Sequence, residues 1–192
     1  MPGKTYFSKQ LFKFLEDLRA NNNREWFQAN RGRYEEFVRE PFLAFIADAG
    51  PQLRKLSRHV NADPRPSGGS LFRMHRDVRF SKDKRPYKTN AGASFNHDAG
   101  KGVAAPGFYI HLASGESFVA GGMYMPDSKA LRSIREAIVE HPAKWKAVKK
   151  AGELSAEDSL KRPPQGFSAD HPYIEDLKLK HFVASERFGD HE

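Results

Sequence analysis

The residues best suited to do chemistry lie between Arg73 and Asn90, a stretch we call the basic segment. It holds seven Lys or Arg residues against only Asp77 and Asp83, so it carries +5 of the chain's formal net charge of +8. Guanidinium groups present planar forks of N–H donors that fit carboxylate or phosphate oxygens, and ammonium groups add mobile point charges. The segment therefore predicts an anion site formed by Arg73, Arg76, Arg79, Lys82, Lys84, Tyr87 and Lys88.

Two side chains of the basic segment have a further predicted role. The ring of Tyr87 could stack on a bound compound, and Asp77 is the candidate for an acid or base that acts on it. The sequence assigns no reaction to the protein and predicts no cofactor.

A strand from Leu71 to Ser81 would position the first half of the basic segment. Alternation along a strand gives it one mostly apolar face and one charged face. We expect Arg73 and Arg79 to project from the charged face towards a shared solvent-accessible concavity. Pro86 and a run of charges then favour a loop. The apolar face would consist of Phe72, Met74, Arg76, Val78 and Phe80.

Arg76 conflicts with the apolar face on which the alternation places it. A buried guanidinium requires a carboxylate partner. Asp77 and Asp83 are the local candidates. We therefore expect Arg76 to be held inside the domain by one of these acids.

Three functions are compatible with the basic segment. A concave cluster of cations would bind a small molecule that carries phosphate or carboxylate. An exposed basic stripe interleaved with Phe80 and Tyr87 would instead bind nucleic acid, with phosphates on the cations and bases on the rings. Lys and Arg also protect sheet edges from unwanted strand pairing. In that third case Asp77 and Asp83 would only neutralise neighbouring arginines, within a structural or interaction domain that has no ligand.

Other groups of residues predict no catalytic or metal site. The sequence contains no motif of the serine hydrolases or zinc peptidases. The glycine-rich stretch from Asn90 to Gly107 matches no phosphate-binding fingerprint, and we interpret it as a loop or mobile lid. Four residues have side chains that suit zinc or iron, but their spacing matches no metal motif. These four are His75, His97, Asp98 and His111.

The composition restricts the class of protein further. The 192 residues include no cysteine, which excludes disulfides, thiolate metal sites and a cysteine nucleophile and favours the cytoplasm. The longest uncharged stretch, from Gly102 to Gly115, is too short to cross a membrane and contains Pro106. Fifteen phenylalanines indicate that aromatic rings dominate the core.

Helices are predicted for the N-terminal third. Ser8 begins a helix whose leucines recur at helical spacing, and the asparagines from Asn21 to Asn23 end it and cap the next. Helical spacing continues to about Arg58. Breaks are expected at Gly32, Pro41 and Gly50-Pro51, and a loop follows from residue 59 to residue 70.

Strands and then further helices are predicted for the rest of the chain. Gly107 to Ala113 and Phe118 to Met125 form an antiparallel hairpin, with Phe108, Ile110 and Leu112 towards the core. Asp127 or Ser128 caps a helix that buries Leu131, Ile134 and Ile138, and Pro142 begins a helix that contains Trp145. Ser155 to Glu192 forms loops and short elements.

The order of these elements predicts one α+β domain over residues 1–192, with a mostly antiparallel sheet flanked by helices. Residues 5–58 are expected to be helical. Residues 71–125 are expected to be rich in strands, and residues 127–192 helical and irregular.

Five motifs resemble those of the domain-of-unknown-function 2461 family and follow the same order along the chain. The most specific is Arg76-Asp77-Val78-Arg79-Phe80-Ser81-Lys82-Asp83-Lys84 followed by Pro86-Tyr87-Lys88, which resembles the family's central motif. The others are Trp26-Phe27, Gly121-Gly122-Met123-Tyr124, Leu131 to Arg135, and Pro164 to Phe167. The resemblance covers nearly the whole chain and implies no catalytic residue or cofactor. Members of the family continue further past the equivalent of Phe182, so a final helix is expected to be missing or replaced here.

Overall fold

The first helices follow the apolar spacing of the sequence. The computed structural model of the chain describes residues 4–98, 105–152, 154–156 and 158–190. Helix α1 (Lys9–Ala20) buries the three leucines that predicted it. Helix α2 (Arg24–Ala29) begins after Asn23, whose side chain accepts a hydrogen bond from the backbone N–H of Trp26. Both helix starts are confirmed, although the side chain of Ser8 caps none of the described N–H groups of α1.

The prediction of breaks at Gly32, Pro41 and Gly50-Pro51 is wrong. Pro41 lies in the first turn of a helix, where proline is tolerated, and Pro51 lies inside that helix. An internal proline costs roughly 3 kcal/mol. The same helix buries Phe42 and Ile46, and each such side chain contributes about 1.5 to 3 kcal/mol. Packing therefore outweighs the local cost, and the chain stays helical through α3 (Arg31–Tyr34), a π-helical turn (Glu35–Arg39) and α4 (Glu40–Leu56).

A five-stranded antiparallel sheet packs against these helices. Its strands stand in sequence order, each paired with the next. The largest hydrophobic core lies between α1, α2 and α4 and one face of the sheet, which contributes Ala93, Phe95 and Ile110. The strands are β1 (Val60–Asn61), β2 (Ala91–His97), β3 (Gly107–Leu112), β4 (Phe118–Met123) and β5 (Phe182–Arg187).

The predicted hairpin is confirmed as β3 and β4. Ile110 pairs with Val119 and His111 with Phe118. Ile110 and Leu112 are buried and Phe108 packs against the same core, as the alternation requires. The α+β class is confirmed with it. That the C-terminal segment would supply β5 was not predicted.

The glycine-rich stretch after Asn90 is not a loop throughout. Its first part is β2, a central strand whose alanines and phenylalanine face the core. Ala91 and Ala93 are buried in that core, whereas Gly92 lies against Tyr109. Residues 99–104, which belong to the predicted loop or lid from Asn90 to Gly107, lie outside the described residues.

The predicted strand from Leu71 to Ser81 is wrong. Only two isolated bridges form, one between Leu71 and Ala93 and one between His75 and Tyr87. Phe80, expected in the core, is 96% exposed. The backbone turns away from the sheet because the aspartates of this segment hydrogen-bond to it locally, as described below.

A second hydrophobic cluster forms around the C-terminal helices. Asp127 caps α5, as predicted, by accepting a hydrogen bond from the backbone N–H of Ala130. Ile138 of α5 is buried, and Leu131 and Ile134 pack beside it. The helices are α5 (Ser128–Glu140), α6 (Pro142–Ala151) and α7 (Ile174–Lys178), and the buried residues of the cluster are Ile138, Trp145, Leu177, Leu179 and Phe182.

No helix among the described residues is long and apolar enough to cross a membrane.

Candidate functional site

The basic segment is folded back on itself and fixed at its base. The backbone N–H of Arg76 donates to the carbonyl of Pro86, and that of Lys88 donates to the carbonyl of Met74, both at 2.8 Å. These bonds close residues 77–85 into a loop. The side chain of Asn22 makes two 3.0 Å hydrogen bonds to the backbone of Tyr87 and so ties the base of the loop to the helices.

Tyr87 lies in the core. Its ring is 2% exposed and stacks on Phe27, with centroids 4.1 Å apart and planes inclined by 15°. The predicted use of this ring as a platform for an external ligand is therefore wrong. The bridge to His75 turns Tyr87 inward, and stacking holds it there.

Two arginines of the basic segment are neutralised by an aspartate two residues earlier. In each Asp-x-Arg unit the carboxylate accepts from both the backbone N–H and the guanidinium of the arginine. The guanidinium-to-carboxylate distance is 2.7 Å for Arg79 with Asp77 and 2.8 Å for Arg85 with Asp83. Hydrogen bonding to Arg79 also lowers the pKa of Asp77 below its usual range, so this candidate acid or base stays an ionised, paired carboxylate near neutral pH.

Arg76 has the acidic partner that was predicted for it. Its Nη1 donates to Asp83 Oδ2 at 2.7 Å and to the carbonyl of Arg85 at 3.1 Å. The Arg76 side chain is 27% exposed, so it is held at the rim of the loop and not inside the domain. Hydrogen bonds from Arg85, and then from Arg76, hold the pKa of Asp83 far below its usual range.

Loss of the Arg76 side chain should therefore affect the loop more than the whole domain. We expect Arg76→Ala to lower the melting midpoint by a few degrees at most, because the pair with Asp83 is partly exposed and such pairs contribute little. Arg79→Ala should leave the midpoint nearly unchanged, since the Arg79 side chain is 77% exposed. Thermal melts of the two variants beside the wild type measure this. A large fall in both would mean that the loop is part of the folding core.

Four cations of the basic segment remain outside these pairs. Lys84 donates its ammonium to the carbonyl of Val78 at 3.0 Å. Arg73, Lys82 and Lys88 form no ion pair with any described carboxylate. Lys82 lies on the exposed loop, whereas Lys88 is half-buried. Lys88 is therefore the cation whose charge is partly buried without a carboxylate partner, which is energetically unfavourable.

The Lys88 ammonium lies over the aromatic ring of Phe72, next to the sheet. Its Nζ lies 5.0 Å from the ring centroid of Phe72, which itself lies 5.8 Å from that of Tyr109. Burial lowers the pKa of Lys88, and the positive charge of Arg73 lowers it further. The fold thus holds two cations near each other, and this proximity destabilises the charged form of Lys88.

Tyr109 and His111 form a polar pair beside Phe72. The two residues are two apart on β3, so they share the face of the sheet opposite to Ile110. The Tyr109 hydroxyl lies 3.0 Å from His111 Nδ1, and the amide nitrogen of Asn90 lies 3.4 Å from the same atom. The tautomer of His111 decides whether Nδ1 accepts a hydrogen bond from these groups or donates one to the tyrosine hydroxyl. Burial raises the pKa of Tyr109 and lowers that of His111, so both groups stay neutral near pH 7.

A glycine makes room for this pair. A Cβ at Gly92 would lie 2.6 Å from the Tyr109 hydroxyl and 2.9 Å from the carbonyl of Ile110. On the other side, Phe118 stacks on His111 with centroids 4.8 Å apart. The pair is therefore held in a fixed position. We call the resulting group the Lys88 cluster: Phe72, Arg73, Lys88, Asn90, Tyr109 and His111.

The sequence interpretation found only part of this cluster. Arg73 and Lys88 were among the predicted anion ligands, and His111 was considered only as a metal ligand. Alternation along the predicted strand β3 was the signal that could have joined Tyr109 to His111. No local sequence pattern predicts the contact between Phe72 and Tyr109, because that contact depends on the bridge between Leu71 and Ala93.

The comparisons with known proteins agree with the resemblance in the sequence. A family model described as "Conserved hypothetical protein (DUF2461)" matches residues 10–192. No curated protein matched the chain, and no solved structure did. The match extends over almost the full length of the chain, which therefore belongs to the DUF2461 family.

Proposed function

We propose that the protein binds a small phosphate- or carboxylate-bearing compound at Arg73 and Lys88. The observation that carries this proposal is the half-buried ammonium of Lys88, which has a cationic neighbour and no described carboxylate beside it. Burying an uncompensated charge is unfavourable, and a second positive charge adds to the cost. An anion between the two cations would offset both contributions.

The pairing of the other arginines supports this position for the anion. Asp77 pairs with Arg79, and Asp83 is shared by Arg76 and Arg85, so all three arginines have a carboxylate partner that Arg73 and Lys88 lack. Of the seven residues in the predicted anion site, the proposal keeps Arg73 and Lys88 as the main ligands. Arg73 would contribute a two-pronged guanidinium, and Lys88 a point charge.

The neighbouring polar groups suit the rest of such a compound. The neutral His111–Tyr109 pair lies beside Phe72, and Asn90 adds an amide. These groups can hydrogen-bond to a hydroxyl or carbonyl of the compound. An enzymatic role would use His111 and Tyr109 in preference to Asp77, whose carboxylate is held by Arg79.

Thermal melts in the presence of anions test the proposal. We expect phosphate, a simple dicarboxylate or a mononucleotide to raise the melting midpoint in a saturable way, because a ligand that binds only the native state stabilises it. Chloride at the same ionic strength is the control. Equal shifts with chloride and with all the other anions would show screening in place of a site.

A nucleic-acid-binding function is the second candidate, and one observation favours it. Phe80 is 96% exposed at the tip of the loop, with the guanidinium of Arg79 5.9 Å from its ring centroid and Lys82 close in sequence. An exposed ring between cations is the arrangement that stacks on an unpaired base.

Phe80→Ala separates the two candidates. If the protein binds single strands through the loop, this change should weaken binding of an oligonucleotide by about 1 to 3 kcal/mol and leave the response to phosphate unchanged. Fluorescence anisotropy at two salt concentrations measures the affinity, and Lys129→Ala on helix α5 serves as a charged surface control. Oligonucleotide binding that is unchanged in Phe80→Ala would contradict binding through this loop.

We also propose that the protein acts in the cytoplasm. The support for this location is the complete lack of cysteine in 192 residues.

A further inference from the structure

We propose a binding site for a divalent transition metal ion at the β1 edge of the sheet, formed by His59, His97 and Asp98. These three side chains are the one group among the described residues in which at least three potential ligand atoms lie together, all within 4.8 Å of one another. The sequence predicted no metal site. His59 was not considered there, and His97 and Asp98 were grouped with histidines that lie elsewhere.

The backbone brings the three ligands together. Val60 of β1 pairs with His97 of β2, and the backbone N–H of Asp98 donates to the carbonyl of His59 at 2.7 Å. His59 and Asp98 are thus directly opposite each other at the ends of paired strands. Ligands on paired strands are held in position before the ion arrives, which lowers the cost of binding.

The side chains converge on the carboxylate of Asp98. Nδ1 of His59 lies 3.3 Å from Oδ2, and Nδ1 of His97 lies 3.0 Å from Oδ1. The two imidazole rings are stacked, with centroids 4.8 Å apart and planes inclined by 11°. Both Nδ1 atoms therefore approach the same acid from the same side.

These separations are close to those of a coordinated ion. Ligand atoms about 2.0 to 2.1 Å from a tetrahedral ion are roughly 3.3 Å apart. The two nitrogen-to-oxygen distances, 3.3 and 3.0 Å, are near this value but run to different oxygens of Asp98, so side-chain rotations must complete the site. Two imidazoles and one carboxylate suit zinc, cobalt, nickel or iron(II) and leave coordination positions for water or a substrate.

One neighbouring group opposes the ion and provides a test. Arg58 Nε donates to His59 Nε2 at 3.1 Å, so Nδ1 carries the proton of His59 without a metal. Binding through Nδ1 moves that proton to Nε2 and displaces Arg58, whose charge also repels a cation. We therefore expect the Arg58→Gln variant to bind the metal more tightly than the wild type. Removal of a positive charge elsewhere on the surface should have no such effect.

The test is a titration of tag-free, metal-stripped protein with Co²⁺ and Zn²⁺. We expect one equivalent of Co²⁺ to give a d–d absorption spectrum that Zn²⁺ bleaches. Calorimetry gives the affinity and the stoichiometry for the wild type and for each variant. His59→Gln and Asp98→Asn should each weaken binding by more than roughly tenfold.

His75→Gln is the matched control. His75 lies outside the group, so this variant should bind the ion like the wild type. Circular dichroism of each variant without metal checks that it is folded. The proposal is overturned if no stoichiometric binding occurs, or if folded His59→Gln and Asp98→Asn bind the ions as tightly as the wild type.

Discussion

Lys88→Met should abolish the stabilisation of the protein by phosphate while leaving the ligand-free protein at least as stable as the wild type. Methionine keeps the apolar stem over Phe72 and removes the buried charge, so its cost and the repulsion from Arg73 disappear together. For the wild type at a ligand concentration of 100 times Kd, stabilisation is about 2.7 kcal/mol, a rise in midpoint of roughly 5 to 10 °C. Melts with and without phosphate measure both effects.

The matched control for Lys88→Met is Lys84→Met, which removes a charge from the same loop. The ammonium of Lys84 donates to the carbonyl of Val78 and takes no part in the Lys88 cluster, so the phosphate response should persist. A Lys88→Met protein that melts far below the wild type would identify Lys88 as a structural residue. A retained phosphate response would place the anion elsewhere.

The pH dependence of this site has a definite sign. The pKa of Lys88 lies below its usual 10.5 in the folded protein, so its charge opposes folding at neutral pH. That opposition is lost as the pH rises through the folded pKa towards 10.5. A bound anion stabilises the charged form, and its affinity should therefore fall over the same alkaline range. In Lys88→Met, which lacks the titrating group, the alkaline gain in the stability of the ligand-free protein should be absent.

Gly122→Ala should be the most damaging small substitution in the sheet. Gly122 has a φ of +135°, and a Cβ there would lie 2.0 Å from the carbonyl oxygen of Phe182 and 2.9 Å from the Cα of Val183. These are backbone atoms of the neighbouring strand β5, which cannot move without opening the sheet. We expect a loss of stability on the order of 3 kcal/mol, measured by urea denaturation.

Gly121→Ala is the control for this prediction. Its Cβ would first meet the ring of Phe108 at 3.2 Å, and a side chain can shift where a backbone cannot. The loss should be under about 1 kcal/mol. Hydrogen exchange should show faster opening of β5 in Gly122→Ala alone. Similar losses of stability in both variants would mean that β4 and β5 can move apart far enough to accept a Cβ at position 122.

The parts of the fold that follow from local sequence were predicted correctly. Alternating residues in β3 and the glycines and serines around the turn were sufficient for the hairpin. Asp127 and the spacing from Leu131 to Ile138 were sufficient for α5. Packing decided the rest, since α4 continues through Pro51 and the glycine-rich stretch forms β2, whose alanines are buried in the core.

The basic segment shows why alternation alone misleads. Its apolar residues alternate as in a strand, but each Asp-x-Arg unit offers the backbone a local hydrogen bond that competes with the sheet. The same unit at Asp63 and Arg65 has the same geometry. A spacing of two between aspartate and arginine was thus a sequence signal for paired, unavailable arginines. Charge counting treated them as free.

The most direct measurement of the central claim is the side-chain pKa of Lys88, followed by NMR of its ammonium group with and without saturating phosphate. If the anion neutralises Lys88, its pKa should rise on binding, because the ligand stabilises the charged form. Lys84 serves as a reference within the same loop and should change little. A rise confined to Lys88 is the predicted result. An unchanged pKa of Lys88 under phosphate that stabilises the protein would contradict the proposed site.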